Sequence, residues 1–195
     1  MKELALHILD ILQNSTRAKA NKIELNIFED TKENVYSIEI KDDGCGMSPE
    51  LLARVTDPFT TSRTTRKVGL GVPLFKHTAE QSGGHLEITS KEGVGTTIKA
   101  TMQHDHIDRP ILGSVAAVFV QTVASNPEIR FIYTHTKDGK SYVFDTDEVN
   151  EALDGMPIQS PEVINYQPYL RWKMCHRYRF CRRFFCCHRT KRHKA

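Results

Sequence analysis

Asp10, Asn14 and Arg17 share one face of a helix in LALHILDILQNSTRAKA, because residues four and seven apart in an α-helix lie above one another. Leu6, Ile8, Leu9, Ile11 and Leu12 recur around them at helical spacing, so Asn14 sits in a helix interior. Asparagine is a poor residue there, since its amide competes with the backbone for hydrogen bonds. A carboxylate, an amide oxygen and a guanidinium in a row suit a hydrated Mg²⁺ and a phosphate; Mg²⁺ takes hard oxygen ligands and keeps most of its waters. The same residues also describe an exposed polar helix face with an ion pair. Further on, KDDGCGM ends a strand in Asp42, with Gly44 and Gly46 just beyond. Glycines there admit a flat ligand close to the backbone, and the carboxylate can accept from an exocyclic amino group such as adenine's. A plain Asp-Gly turn accounts for the same letters. Gly69-Leu70-Gly71-Val72 opens another helix, where backbone N–H groups and the helix dipole attract anions. The loop before it carries Thr60, Thr61, Ser62, Thr64 and Thr65 with Arg63, Arg66 and Lys67, donors suited to a polyphosphate or to an ordinary solvated loop. No Walker-type P-loop occurs.

These residues need a scaffold, and the patterning supplies one. The first helix is predicted from near Leu4 to about Lys19. KIELNIFED and VYSIEIKDD alternate as two strands joined by a short turn. SPELLARV is a short helix with Ser48 as N-cap and Pro49 at its first position. Residues 57–68 have no period and form a loop. A helix follows from about Val72, closed by paired glycines. HLEITS and GTTIKATM make two more strands around KEGVG. This order predicts an α+β fold: a two-layer sandwich of a mixed, mostly antiparallel sheet with helices on one face. Residues 112–123 read as a buried helix, IRFIYTHTKDGKSYVFDT as a hairpin turning at Asp138-Gly139, and Asp145 or Thr146 caps a short helix ending at Gly155. The division expected is therefore 1–104, a small C-terminal α/β appendage over 105–164, and a tail over 165–195.

The tail differs from the body in every statistic. Ten of the 27 Lys and Arg fall between Arg171 and Lys194 and no acid follows Glu162, which leaves residues 1–164 with 17 basic against 24 acidic side chains. Cys45 is alone in the body, whereas Cys175, Cys181, Cys186 and Cys187 crowd the tail. A single body cysteine staples nothing, in keeping with a reducing compartment. The tail reads as a basic arm for nucleic acid or anionic membrane, as a zinc site with unusual spacing, or as the product of a misread 3′ end. No apolar run approaches the roughly 20 residues of a bilayer span, and the start reads as an amphipathic helix rather than a signal peptide, so a cytoplasmic protein is expected.

Four motifs in fixed order, the Asn-bearing helix, D-x-G-x-G after a strand, a threonine-rich loop into G-L-G, and G-V-G-T-T before a last strand, resemble the ATP-binding fold shared by DNA gyrase, the large heat-shock chaperone, sensor histidine kinases and the MutL mismatch-repair proteins. The resemblance to this Bergerat (GHKL) family covers residues 1 to about 103. It implies ATP and Mg²⁺ as ligands, with Asn14 holding the metal and Arg17 near phosphate. It implies Asp42 on the adenine amino group, and Gly44, Gly46 and Met47 at the adenine slot. Thr61, Lys67, Gly69, Leu70 and Gly71 would stand at the phosphate lid, and Thr97 would support Asp42 from the neighbouring strand.

Asp10 stands where the gyrase and MutL branches carry a glutamate as general base. A base must come within about 2.6–3.2 Å of its proton, and a misplacement of roughly 1 Å can cost on the order of 100-fold. DILQNS and IKDDGCGM look MutL-like, while DPFTTSR, GLGVPLFKHTAEQSGG and Arg17 look kinase-like. The ATP-domain pattern begins at residue 1, so no dimerising hairpin with a phosphoacceptor is expected before it, and His7 reads as a structural or surface residue. The resulting expectation is Mg²⁺-dependent phosphoryl transfer to a partner protein, of anti-sigma-factor or sensor-kinase type. A slow ATPase switch with Asp10 as base, and an ATP sensor without chemistry, are the alternatives. Nucleic acid enters as a partner only if the tail is genuine.

Overall fold

The computed structural model describes residues 3–57 and 70–152. Its elements in chain order are α1 (Leu4–Arg17), β1 (Lys22–Asp30), β2 (Val35–Asp42), α2 (Pro49–Arg54), α3 (Gly71–Gln81), β3 (His85–Lys91), β4 (Gly95–Gln103), α4 (Val115–Ser125), β5 (Arg130–Lys137), β6 (Lys140–Asp145) and α5 (Thr146–Ala152). The expected loop over 57–68 and everything beyond Ala152, the tail included, lie outside the described residues apart from Asp57.

Alternation in β1 and β2 fixes their register. Leu25 lies opposite Ile40 and Ile27 opposite Ile38 in an antiparallel pair. The period of two then turns Ile23, Leu25 and Ile27 to the same side as Tyr36, Ile38 and Ile40, all at most 1% exposed. β4 pairs with the other edge of β2 and β3 with β4, both antiparallel, whereas β5 lies parallel to β1 and carries β6 as an antiparallel hairpin. The result is one six-stranded sheet in the order β3-β4-β2-β1-β5-β6, mixed and mostly antiparallel, with α1 packed between α3 and α4 on its apolar face. The α+β sandwich expected from the patterning is the fold observed. α4, the hairpin and α5 continue this same sheet and core.

Local chemistry accounts for the smaller elements. Ser48 Oγ accepts from Leu51 N–H at 3.3 Å and Pro49 occupies the first position of α2. Asp138 and Gly139 both take positive φ (47° and 78°), the twist that a two-residue hairpin turn demands. α4 is helical despite its valines because its buried side chains meet a ready surface. Phe119 lies edge-on to Phe131 and Phe144, at 5.8 Å from each, and tilted against Tyr133 at 5.4 Å. Burying such a ring is worth on the order of 2–3 kcal/mol, more than the helix-propensity deficit of several β-branched residues.

Where the inward row of β1 ends, the core turns polar. Glu29 is 8% exposed and takes three donors: His135 Nε2 at 2.8 Å on Oε1, with Lys137 Nζ at 2.9 Å and His104 Nε2 at 3.2 Å on Oε2. A carboxylate only accepts, so His135 donates through Nε2, and its Nδ1 faces the Tyr133 hydroxyl at 3.1 Å. Burial alone would raise the Glu29 carboxyl; the hydrogen bonds from His135 and Lys137 outweigh it and pull the carboxyl down to about 2. Tyr36 lies opposite Glu29 in the ladder, with Arg109 4.7 Å above its ring and its hydroxyl buried without a partner. These contacts fasten the segment after β4, and β5, to the end of β1.

Candidate nucleotide site

At the other end of the same strands, β2 finishes in Asp42, whose partner across the ladder is Ile23. Parity puts Asp42 on the helix-covered face, below the last turn of α1. Its two oxygens are held differently. Oδ2 accepts from the Ser15 hydroxyl at 2.6 Å, and Oδ1 accepts from the N–H groups of Gly44 at 3.0 Å and Thr96 at 3.3 Å. Among the described residues no cation pairs with Asp42, and the donors that orient the carboxylate are neutral. The next residue does the turn's work instead: Asp43 Oδ1 accepts from Asn21 and Lys22 N–H at 2.7 and 2.9 Å, anchoring the start of β1.

The support from β4 comes from Thr96, where Thr97 was expected. Ile98, Ala100 and Met102 face the core, which turns Thr96 inward with them, opposite Asp42; Thr97 pairs with Lys41 and points to the other face. Thr96 Oγ1 lies 2.9 Å from Ser90 Oγ, and the same Ser90 oxygen accepts from Met47 N–H at 2.9 Å. Ser15, Thr96 and Ser90 are thus three hydroxyls that sequence reasoning passed over. A signal for Ser15 existed: it occupies the apolar stripe of α1 after Ile8, Ile11 and Leu12, and it is 2% exposed.

Gly44, Cys45 and Gly46 wedge between α1 and the β3–β4 turn, with Cys45 N–H donating to Ala18 O at 2.9 Å and Gly93 N–H to Cys45 O at 2.8 Å. Gly46 has φ +66°, and a Cβ there would stand 2.1 Å from the Lys91 carbonyl oxygen. Only glycine fits. The close approach visible at these glycines is to Ala18 at Gly44 and to the Lys91 backbone at Gly46, with Asp42 and Met47 on either side of the wedge.

Asp10, Asn14 and Arg17 lie along one face of α1, as their spacing predicts. Arg17 Nη1 donates weakly to Asn14 Oδ1 at 3.4 Å, and Arg17 is exposed. α3 begins beside Asp10: a Cβ on Gly71 would lie 3.2 Å from Asp10 Cβ and 3.5 Å from its Oδ2. Leu70, the N-cap of α3, has no side-chain acceptor, and it is 48% exposed. Thr61, Lys67 and Gly69 fall outside the described residues.

As a magnesium site, the donors fit. Asn14 offers a neutral hard oxygen, a single protein ligand of the kind that Mg²⁺ accepts when phosphates and water complete its shell. Among the described residues no cluster of three or more His, Cys, Asp or Glu could hold a metal alone. No helix there is long and apolar enough to cross a membrane.

Comparison with known proteins bears on the same region. A non-motile and phage-resistance protein of Caulobacter vibrioides is 30% identical over 117 residues, covering 57% of this chain and 14% of that protein. The sensor protein SrrB of Staphylococcus aureus is 35% identical over 95 residues, covering 46% of this chain and 16% of that one. The chain thus spans a minor part of the length of these relatives. Among solved structures, the N-terminal domain of a DNA repair protein shares the fold with a TM-score of 0.51 at 16% identity, over 73% of this chain and 52% of that one. The family model for the histidine kinase-, DNA gyrase B- and HSP90-like ATPases matches residues 2–106, more than half of the 195-residue chain and the whole of the site just described. This chain is a member of that ATPase family.

Proposed function

We propose that the chain binds Mg·ATP between α1, α3 and the ends of β2 and β4, and passes the γ-phosphoryl group to a partner protein. The observation that carries the reading is Asp42: a carboxylate held by Ser15, Gly44 and Thr96, with no cation on it among the described residues. Such a group selects a donor on its ligand, the amino edge of adenine over the carbonyl edge of guanine. Membership of the family over residues 2–106, and 35% identity over 95 residues with the sensor protein SrrB, support a nucleotide of this kind. Asn14 would hold Mg²⁺, Arg17 would serve phosphate, and the first turn of α3, whose N-cap Leu70 brings no side-chain acceptor, would offer backbone donors. Mg²⁺ held there would supply charge neutralisation on the phosphates, and the γ-phosphorus would exchange its bond to the bridging oxygen of ADP for a bond to a nucleophilic atom of the partner.

Asp10 supports a second reading, slow hydrolysis. Its carboxylate lies against Gly71 at the start of α3, and could take a proton from water there. Asp10→Asn separates the two: hydrolysis collapses, whereas phosphorylation of a partner persists.

The test of the nucleotide itself is calorimetry of Mg·ATP on the full chain, with Asn14→Ala and Asp42→Asn. Binding by the wild type that both variants reduce by at least about 100-fold supports the site. A wild type that binds no nucleotide would leave the motifs as scaffold and remove every role assigned above.

A further inference from the structure

His7 is fully buried in α1, one turn before Asp10 and two before Asn14. Its ring stacks on Phe75 at 5.2 Å and 18°, and its Nε2 lies 3.1 Å from Thr78 Oγ1. Thr78 spends its single hydroxyl proton on Leu74 O, one turn back in α3, at 2.9 Å. The hydrogen between Thr78 and His7 therefore belongs to the imidazole, and Nε2 donates. Nδ1 is left as a bare acceptor, buried without a partner. A buried imidazole with one idle nitrogen costs stability that an apolar residue would not, so a steric role alone is a poor explanation for it.

Its place in the packing supplies a better one. α1 and α3 run antiparallel along a seam in which Asp10 meets Gly71 and, one turn away, His7 meets Phe75 and Thr78. Apolar contacts let two helices slide and rotate by small amounts, whereas a directional bond between them fixes register. The His7–Thr78 bond joins α1 to α3 among the described residues, one turn along α1 from Asp10 and two along α3 from Gly71.

We infer that His7 is a positioning residue, which through Thr78 sets where the first turn of α3 stands against Asp10 and Asn14, and so governs the grip on the triphosphate end of the nucleotide. This rests on the nucleotide reading of the site. The adenine end depends on β2, β4 and Ser15 and is independent of this seam.

The experiment measures binding of Mg·AMPPNP and of ADP to the full chain by calorimetry, with melting curves, for Thr78→Val, His7→Phe and Thr78→Ser. Loss of the bond in Thr78→Val or His7→Phe, which keeps a ring against Phe75, should weaken AMPPNP about tenfold and ADP less than about twofold. Thr78→Ser should restore AMPPNP binding, and the double variant should be no worse than either single one. Equal losses for both nucleotides, or a lowered melting point with AMPPNP binding intact, would overturn the inference while leaving the nucleotide site standing. A wild type that binds neither nucleotide overturns the two together.

Discussion

Asp42 and Glu29 are carboxylates on one sheet face, at opposite ends of the same two-stranded ladder, yet they are treated in opposite ways. Glu29 is closed on all sides by two imidazoles and an ammonium. Asp42 is half-buried and is steered by a hydroxyl and two backbone N–H groups. Three side-chain donors, an ammonium among them, satisfy the Glu29 carboxylate; Asp42 is oriented by neutral donors alone among the described residues. One pole is therefore a fastening and the other is the proposed receptor.

The largest effect that divides them is on stability. Glu29→Ala leaves Lys137 and two histidines facing an empty site, and should cost about 3–5 kcal/mol in urea unfolding without changing the nucleotide affinity of the folded protein. A matching loss of affinity would show that the two poles are coupled. Next comes pH. Glu29 has its folded carboxyl lowered from 4.5 to about 2, so its contribution is complete above pH 4.5 and fades as pH falls towards about 2. Burial lowers His7 from 6.5 to about 4, so protonation in the unfolded chain removes stability earlier, as pH falls from 6.5 towards about 4. Each is worth on the order of 3 kcal/mol. Unfolding midpoints between pH 3 and 7 should lose the upper slope in His7→Phe and the lower one in Glu29→Gln.

Smaller effects sharpen the contrast. Ser15→Ala frees one oxygen of Asp42 and should weaken ATP about tenfold by calorimetry, with the melting point moving little. A large fall in stability with affinity unchanged would make Ser15 a core residue only. The least change is expected in Tyr36→Phe, which removes a buried hydroxyl that has no partner; stability should hold or rise by about 1 kcal/mol. A clear loss in urea unfolding would reveal a partner for that oxygen.

The two poles also differ in how far the sequence discloses them. The receptor is built from local text: Asp10, Asn14 and Arg17 follow from helical spacing, and Asp42 follows from the end of an alternating strand. Even the choice of Thr96 over Thr97 was readable, because counting back by twos from Ile98 turns Thr96 inward. The fastening could be half seen. Parity along Ile23, Leu25 and Ile27 sends Glu29 into the core, where a lone carboxylate demands partners. Those partners lie 75, 106 and 108 residues away, and nothing local couples them to β1. The parallel pairing of β1 with β5 is hidden for the same reason, since strand register across such a gap is decided by packing.

That parallel pairing has a consequence during synthesis. β1 and β2 emerge together and close at once into a hairpin, but the second edge of β1 waits for a partner that begins at Arg130. Until then a strand carrying Ile23, Leu25 and Ile27 keeps an open row of backbone donors and acceptors, the kind of edge to which other chains add. A nascent chain cut where the family match ends, at residue 106, would hold every motif of the receptor and still expose that edge. The segment that supplies β5 is, in this sense, the molecule's own protection against its neighbours on the ribosome.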